Sequence, residues 1–358
     1  MTDLKKIFSG KKVLVTGHTG FKGSWLSIWL KELGAKVTGY SLIPPTHPNN
    51  FEATSLKNKI KHIIGDIRDY AKVKKTICES KPEIIFHLAA QPLVLYSYEN
   101  PLFTYETNIT GTVNVLESAR KTTSLKAIVV VTSDKCYENK GKKEGYSEND
   151  VLGGYDPYSC SKACAELITR SYIKSFYGKS NDTGIATARA GNVIGGGDWG
   201  TNRIFPDSIK ALIKNKEIPV RNPNHIRPRQ FVLEPLYGYL VLASKLIENP
   251  NKYTGAWNFG PNKSSCISVK EIVEKIIYYW GKGKRKNISK GKVESEMNYL
   301  TLNPGKSNNL LKWCVIYNID EAVRHSVEWY RKFYLKKENM YNFCVNQINY
   351  YTECLSEK

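Results

Sequence analysis

The hydrophobic pattern of this chain alternates between two kinds of segment. Short apolar runs at 12–16, 35–42, 60–64, 82–89, 125–132 and 184–189 read as buried strands. Between them, 24–33, 70–80, 108–121 and 161–177 read as helices; Trp25, Leu26, Trp29, Leu30 and Leu33 form one stripe at helical spacing. Strands apolar on both faces and separated by helices predict a parallel sheet covered on both sides, the doubly wound α/β (Rossmann) architecture. Its ligands sit at the carboxyl ends of the strands. The residues just after each strand therefore carry the functional interest.

After about residue 192 the pattern loosens into a glycine-rich loop at 195–198, helices at 207–215 and 236–248, and short extended pieces. The expected organisation is a dinucleotide-binding domain over 1–192 and a smaller α+β substrate lobe over 193–334, its chain free to cross back to the first domain. A tail over 335–358 follows, with Tyr341, Phe343, Tyr350 and Tyr351 available to pack.

Composition narrows the classes. Over 358 residues, 41% hydrophobic and 24% charged residues exclude gross disorder. Lys and Arg number 53 against 33 Asp and Glu, a net charge of +20. The densest basic cluster, Lys282, Lys284, Arg285, Lys286, Lys290 and Lys292, contains glycines and no aromatic residue. Nucleic acid is therefore not the expected partner; a positive field also steers a small phosphorylated substrate. No run approaches the roughly 18–20 apolar residues of a membrane span. The lysine-rich start has no apolar stretch or small-residue cleavage site, so a cytoplasmic protein is expected. Eight scattered cysteines without a CxxC predict neither metal site nor disulfide framework.

Gly17, Gly20 and Gly23 space the connection from the first strand to the first helix as GxxGxxG. Gly17 permits the tight turn, Gly20 lets the backbone approach a pyrophosphate, and Gly23 allows close packing of the helix. The helix N-terminus then offers free N–H groups to the anion. Thr19, Phe21 and Lys22 belong to the same loop. The second strand ends at Tyr40-Ser41 with no carboxylate for an adenosine ribose, which leaves NAD and NADP both open. Asp66, with Ile67, could reach an adenine or simply form a turn.

Tyr158 and Lys162 form a YxxxK and lie on one helix face. A neighbouring ammonium favours phenolate, which makes the tyrosine a general base for a hydroxyl.

At these residues the chain resembles the extended short-chain dehydrogenase/reductase family over its first 195 residues and parts of the rest. His87-Leu88-Ala89-Ala90-Gln91 resembles the strand-end motif beside the nicotinamide, and Thr107-Asn108-Ile109-Thr110-Gly111-Thr112 the helix motif. Arg189-Ala190-Gly191-Asn192 resembles the nucleotide-sugar segment, which would put Asn192 at a pyrophosphate. The resemblance implies NAD as cofactor, a nucleotide diphosphate sugar as substrate, and a homodimer or homotetramer built through helices 108–121 and 161–177. Arg203 and Arg227 match positions that anchor the diphosphate.

After the fifth strand the chain reads Thr132-Ser133-Asp134-Lys135. Simple 4-epimerases have no acid–base pair there, whereas 4,6-dehydratases do. The Ser-Asp-Lys triplet, with TGHTGFKGSWL, YSLIPP, SDKCYEN, NRIFPD and QFVLEP, is similar to one subfamily, the CDP-glucose 4,6-dehydratases. The resemblance implies that Ser133 holds the sugar O4 and Tyr158 deprotonates it. By the same resemblance Lys162 would hold the nicotinamide ribose. Asp134 and Lys135 share acid and base duty in an order the sequence leaves open. Cytidine rests on the resemblance alone. The alternatives are a 4,6-dehydratase for another nucleotide-hexose, and a non-catalytic NAD(P)-sensing binding protein. Two positions depart from the subfamily: Arg229 replaces an aromatic residue, and Asn303-Pro304 stands where an Asp is usual.

Overall fold

A computed structural model describes residues 2–177, 182–261, 265–288 and 300–357. Lys290 and Lys292 of the basic cluster lie outside the described residues.

Six of the expected strands form the sheet: β1 (Lys12–Thr16), β2 (Lys36–Ser41), β3 (Lys61–Ile64), β4 (Ile84–His87), β5 (Ala127–Val131) and β6 (Gly184–Arg189). A seventh, β7 (Gly255–Asn258), joins from the second half of the chain. The order is β7-β6-β5-β4-β1-β2-β3, and every pairing is parallel. The connectivity reverses between β1 and β4, which opens a crevice at their carboxyl ends.

Alternation along β1 explains the layers. Val13 and Val15 face a core shared with Trp25 and Trp29 of α1 (Phe21–Glu32). Leu14 faces the opposite core, shared with Ile77 of α2 (Tyr70–Ser80) and Val115 of α3 (Gly111–Arg120). α4 (Pro157–Phe176) lies on the second face with α2 and α3, and α5 (Leu233–Glu248) on the first.

The differences from the sequence expectation have local causes. α4 begins at Pro157 rather than 161, because the Asp156 side chain accepts from Ser159 N and proline tolerates the first helical turn. This puts Tyr158 inside the helix. The helix expected over 108–121 is preceded by a π-turn, Glu106–Thr110, and becomes regular only at Gly111. The helices expected at 207–215 and 236–248 start earlier, as Ile204–Ile213 and Leu233–Glu248. β7 escaped notice because Gly-Ala-Trp-Asn is too short to show a period.

The C-terminal segment is a helix, α6 (Met340–Ser356), that completes the core beside α1. Cys344 and Tyr351 are fully buried, and Tyr351 OH donates to Glu234 Oε2 of α5 at 2.7 Å. Among the described residues no helix is long and apolar enough to cross a membrane.

Candidate active site

The glycine loop is packed too tightly for side chains. Gly17 has φ of +76°, and a Cβ there would stand 2.7 Å from Ala89 N. A Cβ on Gly23 would come within 2.1 Å of Gly17 O. Gly23 thus lets the helix sit on the loop's own first carbonyl. Gly20 N donates to Gly17 O at 3.1 Å and closes the turn. Thr19 Oγ1 lies 2.9 Å from Ser41 Oγ and donates to Leu42 O, which ties the loop to the end of β2. Phe21 is half-buried against Gly195.

Lys22 lies near Lys162, Arg203 and Asp134. Its Nζ reaches Tyr239 OH at 3.4 Å. Burial, Lys162 and Arg203 together pull its pKa down to about 7.

On the β3 side, the Asp66 carboxylate is engaged by the Arg68 guanidinium at 2.7 Å and lies below its usual pKa; burial opposes that shift and the Arg68 bonds outweigh it. Arg68 also pairs with Glu106 and covers the Phe103 ring. The Ile67 side chain is buried against Gly111. After β4, Leu88, Ala89 and Ala90 are half-buried, while Gln91 is buried and donates to Thr104 Oγ1. Asn108 clamps the Gln91 backbone and donates to Ser161 Oγ of α4 at 2.8 Å. Thr107 is buried, and its hydroxyl has no hydrogen-bond partner among the described residues.

The catalytic candidates converge where β5 ends over the start of α4. Ser133 caps a short turn, Asp134–Cys136: its Oγ accepts from Lys135 N and donates to Asp134 Oδ1 at 2.9 Å. Asp134 is 4% exposed, and burial raises its pKa above the usual carboxylate value. Lys135 is half-buried beside it. Burial pushes Tyr158 up to about 12, opposed by a hydrogen bond with Ser133 and by the Arg203 charge. Lys162 Nζ donates to Val131 O at 3.3 Å; burial brings its pKa to about 8, and Glu166 holds it up.

Of the residues expected at the diphosphate, Asn192 is exposed with φ of +32°. Arg203 is held by Asp198 at 2.9 Å and lies near enough to influence both Tyr158 and Lys22. Arg227 is half-buried, and its charge reaches Asp134. Arg229 is 4% exposed and donates to the carbonyls of Arg227 and Ile267. Burial and Arg227 lower its pKa to about 10. Asn303 accepts from Gly305 N and opens the following helix, Gly305–Leu311.

Sequence reading missed Ser97 and Glu166 behind this site and named Arg189 only within the segment 189–192. Ser97 Oγ accepts from Tyr158 N at 3.2 Å. Glu166 and Arg189 form a buried ion pair at 2.8 Å, each 3% exposed. Glu166 follows Lys162 by four residues, so helical spacing alone could have flagged it.

Residues 14–230 match the family described as GDP-mannose 4,6 dehydratase, and the chain belongs to that family of nucleotide-sugar 4,6-dehydratases. Within this class it is 45% identical, over 97% of its own length and 98% of the other's, to the CDP-glucose 4,6-dehydratase of Salmonella typhimurium. The dTDP-D-glucose 4,6-dehydratase of Dictyostelium discoideum is 27% identical over 75% of this chain and 62% of that protein. Among solved structures, an epimerase from Methanothermobacter thermautotrophicus shares the fold with a TM-score of 0.79, at 22% identity over 94% of this chain and 96% of that one. The UDP-glucose 4-epimerase of Thermus thermophilus, solved with NAD, gives 0.74 at 20% identity over 89% and 98%.

Proposed function

We propose that this protein removes water from CDP-glucose to give CDP-4-dehydro-6-deoxy-D-glucose, with NAD as cofactor. One observation carries the reading: a buried carboxyl of raised pKa, Asp134, is joined through Ser133 to the tyrosine of a YxxxK helix. An epimerase has no use for that acid. The 45% identity to a CDP-glucose enzyme supports the choice of nucleotide.

The residues present suit a dinucleotide. The loop is bare backbone at the N-terminus of α1, with no space for a Cβ on Gly17 or Gly23, and the Thr107 hydroxyl lacks a partner among the described residues. Gly17, Thr19, Gly20, Phe21, Lys22 and Gly23 would hold the diphosphate, and Asp66 and Ile67 the adenine end. Leu88, Ala89, Ala90, Gln91, Thr107 and Lys162 would hold the nicotinamide end. When bound, NAD would supply a hydride acceptor that is restored within the cycle, so the net change is loss of water.

The chain's own groups do the remaining work. Tyr158 takes the proton of the sugar O4–H, and Ser133 holds that oxygen. Against burial, the Ser133 hydrogen bond and the Arg203 charge favour the phenolate, rather than Lys162 as the YxxxK spacing suggests. A 4-ketone acidifies the C5 hydrogen, and Lys135 removes it. The electron pair forms C5=C6 as the C6–O6 bond breaks, and Asp134 supplies the proton that makes O6 leave as water; Lys135 gives its proton back to C5 as C6 takes up a hydride, and the proton that Tyr158 took from O4–H restores the acid. Burial raises the Asp134 pKa, which favours Asp134 as the acid. Asn192, Arg203 and Arg227 would anchor the diphosphate, Arg203 from a position close to Tyr158.

Three coarser readings accompany this one. Residues 1–192 and 193–334 are read as cofactor and substrate domains, although β7 returns to the first. The exposed Leu102, Leu167 and Phe176 near and on α4 support a homodimer or homotetramer, which light scattering would measure. The protein is read as cytoplasmic.

Incubation with NAD and CDP-, dTDP-, UDP- and GDP-hexoses, followed by mass spectrometry, tests the reading. Loss of one water from CDP-glucose is expected. Water loss from a different donor alone would overturn the cytidine assignment, and none from any would overturn the dehydration.

A further inference from the structure

We infer that Glu166, acting through Thr132, is the positioning residue that holds the Ser133-Asp134-Lys135 turn in register with Tyr158 and Lys162; the inference deepens the dehydratase reading and rests on it.

The carboxylate of Glu166 is saturated by four donors. Oε1 accepts from Thr132 Oγ1 and from Arg189 Nε at 2.9 Å. Oε2 accepts from Thr187 Oγ1 at 2.6 Å and from Arg189 Nη2 at 2.8 Å. These donors belong to different strand ends. Thr187 and Arg189 are on β6, and Thr132 is the residue between β5 and the catalytic turn. Glu166 itself sits on α4, one turn beyond Lys162 and two beyond Tyr158. A single side chain therefore joins the helix that carries the base to the strand end that carries the acid.

The tie extends outward. Arg189 Nη1 donates to Tyr137 OH and to Glu148 O. Tyr137 OH donates in turn to Asn258 Oδ1, at the end of β7, at 2.8 Å. Lys162 Nζ donates to Val131 O, one residue before Thr132, so helix and strand are pinned at two consecutive residues. The charged and titratable groups facing Lys162 are Glu166 on its own helix, Cys136 on the catalytic turn, Lys22 on the loop and His87 at the end of β4. A misplacement near 1 Å between acid and base costs about a hundredfold in rate. A buried, four-coordinate carboxylate is the kind of rigid support that prevents it.

Two threonines bonded to the same carboxylate separate positioning from mere stability. Thr132→Val and Thr187→Val each remove one hydroxyl donor while leaving both charges of the ion pair. Thr132→Val is expected to lower kcat about ten- to a hundredfold with KM little changed. Thr132→Ser, which keeps the hydroxyl, should recover most of that loss. Thr187→Val, which loosens the same carboxylate only on its β6 side, should lower the melting temperature comparably and lower kcat severalfold less than Thr132→Val. Hydrogen exchange of the 133–136 amides gives a readout independent of any substrate: faster in Thr132→Val, unchanged in Thr187→Val. Equal kcat losses in the two variants, or unchanged exchange at 133–136 in Thr132→Val, would overturn the inference. Failure of the wild-type protein to dehydrate any hexose would instead strike the functional reading, and the exchange comparison would still decide the tether.

Discussion

Gly191 is the floor under Asp134. A Cβ at position 191 would stand 2.1 Å from Asp134 Oδ2, so the carboxyl occupies space that exists only because residue 191 has no side chain. Gly191→Ala must therefore displace the Asp134 carboxyl. We expect kcat to fall about ten- to a hundredfold, with the KM for the nucleotide sugar nearly unchanged. Steady-state assay of the keto product near 320 nm in dilute base checks this; an unaltered kcat would show that the carboxyl is not held there during catalysis.

Asp134→Asn keeps the shape and removes the transferable proton. General acid catalysis is worth about 10²–10⁴-fold, and a kcat loss of that order is expected, read as water loss by mass spectrometry. Wild-type rates in Asp134→Asn would move the acid role to another group.

The pH dependence follows from Lys162. Its ammonium is the useful form, and burial lowers its pKa to about 8 despite the raising influence of Glu166. The ammonium fraction falls as pH rises through about 8, so kcat/KM should decline there. Lys162→Arg, which stays charged, should lower the rate but move this alkaline limb upward. A limb that stays near pH 8 in Lys162→Arg belongs to another group, Lys22 being the first to test.

Breaking the buried ion pair should be costly to stability. Arg189→Met leaves Glu166 charged, 3% exposed and short of two of its donors. Removing one partner of such a pair costs about 3–5 kcal/mol. Urea unfolding should show that loss; a cost below about 1 kcal/mol would mean that water reaches the site.

The C-terminal helix should behave as core. Tyr351→Phe removes a hydrogen bond to the Glu234 carboxylate, a contact worth about 1.5–3 kcal/mol when one partner is charged. Glu234 also accepts from Ile316 N and Tyr317 N, so one carboxylate ties α6 to α5 and to the segment before the helix Ile319–Arg331. Thermal denaturation of Tyr351→Phe and of a chain ending at residue 338 should show a moderate and a severe loss respectively.

Much of this was legible along the chain, and the reason is locality. Strand and helix periods, the GxxGxxG turn and the YxxxK spacing are set by contacts within a few residues, so β1 to β6 and the Tyr158–Lys162 face could be read directly. Local signals also explain the errors. Asp156 and Pro157 extend α4 backward by one turn, and that detail carries Tyr158 into the helix. The four residues of β7 have no period to show and are recruited only by the exposed edge of β6.

The sequence alone therefore determined the layered fold, the glycine loop after β1 and the YxxxK face of α4. It could not reveal that Gly191 makes room for Asp134, that Lys22 lies near Lys162, or that Glu166 binds two strand ends at once. Those relationships join residues far apart in the chain. They exist only once the parallel sheet has aligned its carboxyl ends and excluded water, because a hydrogen bond or a charge acts strongly only where packing has brought its partner close and dried the space around it.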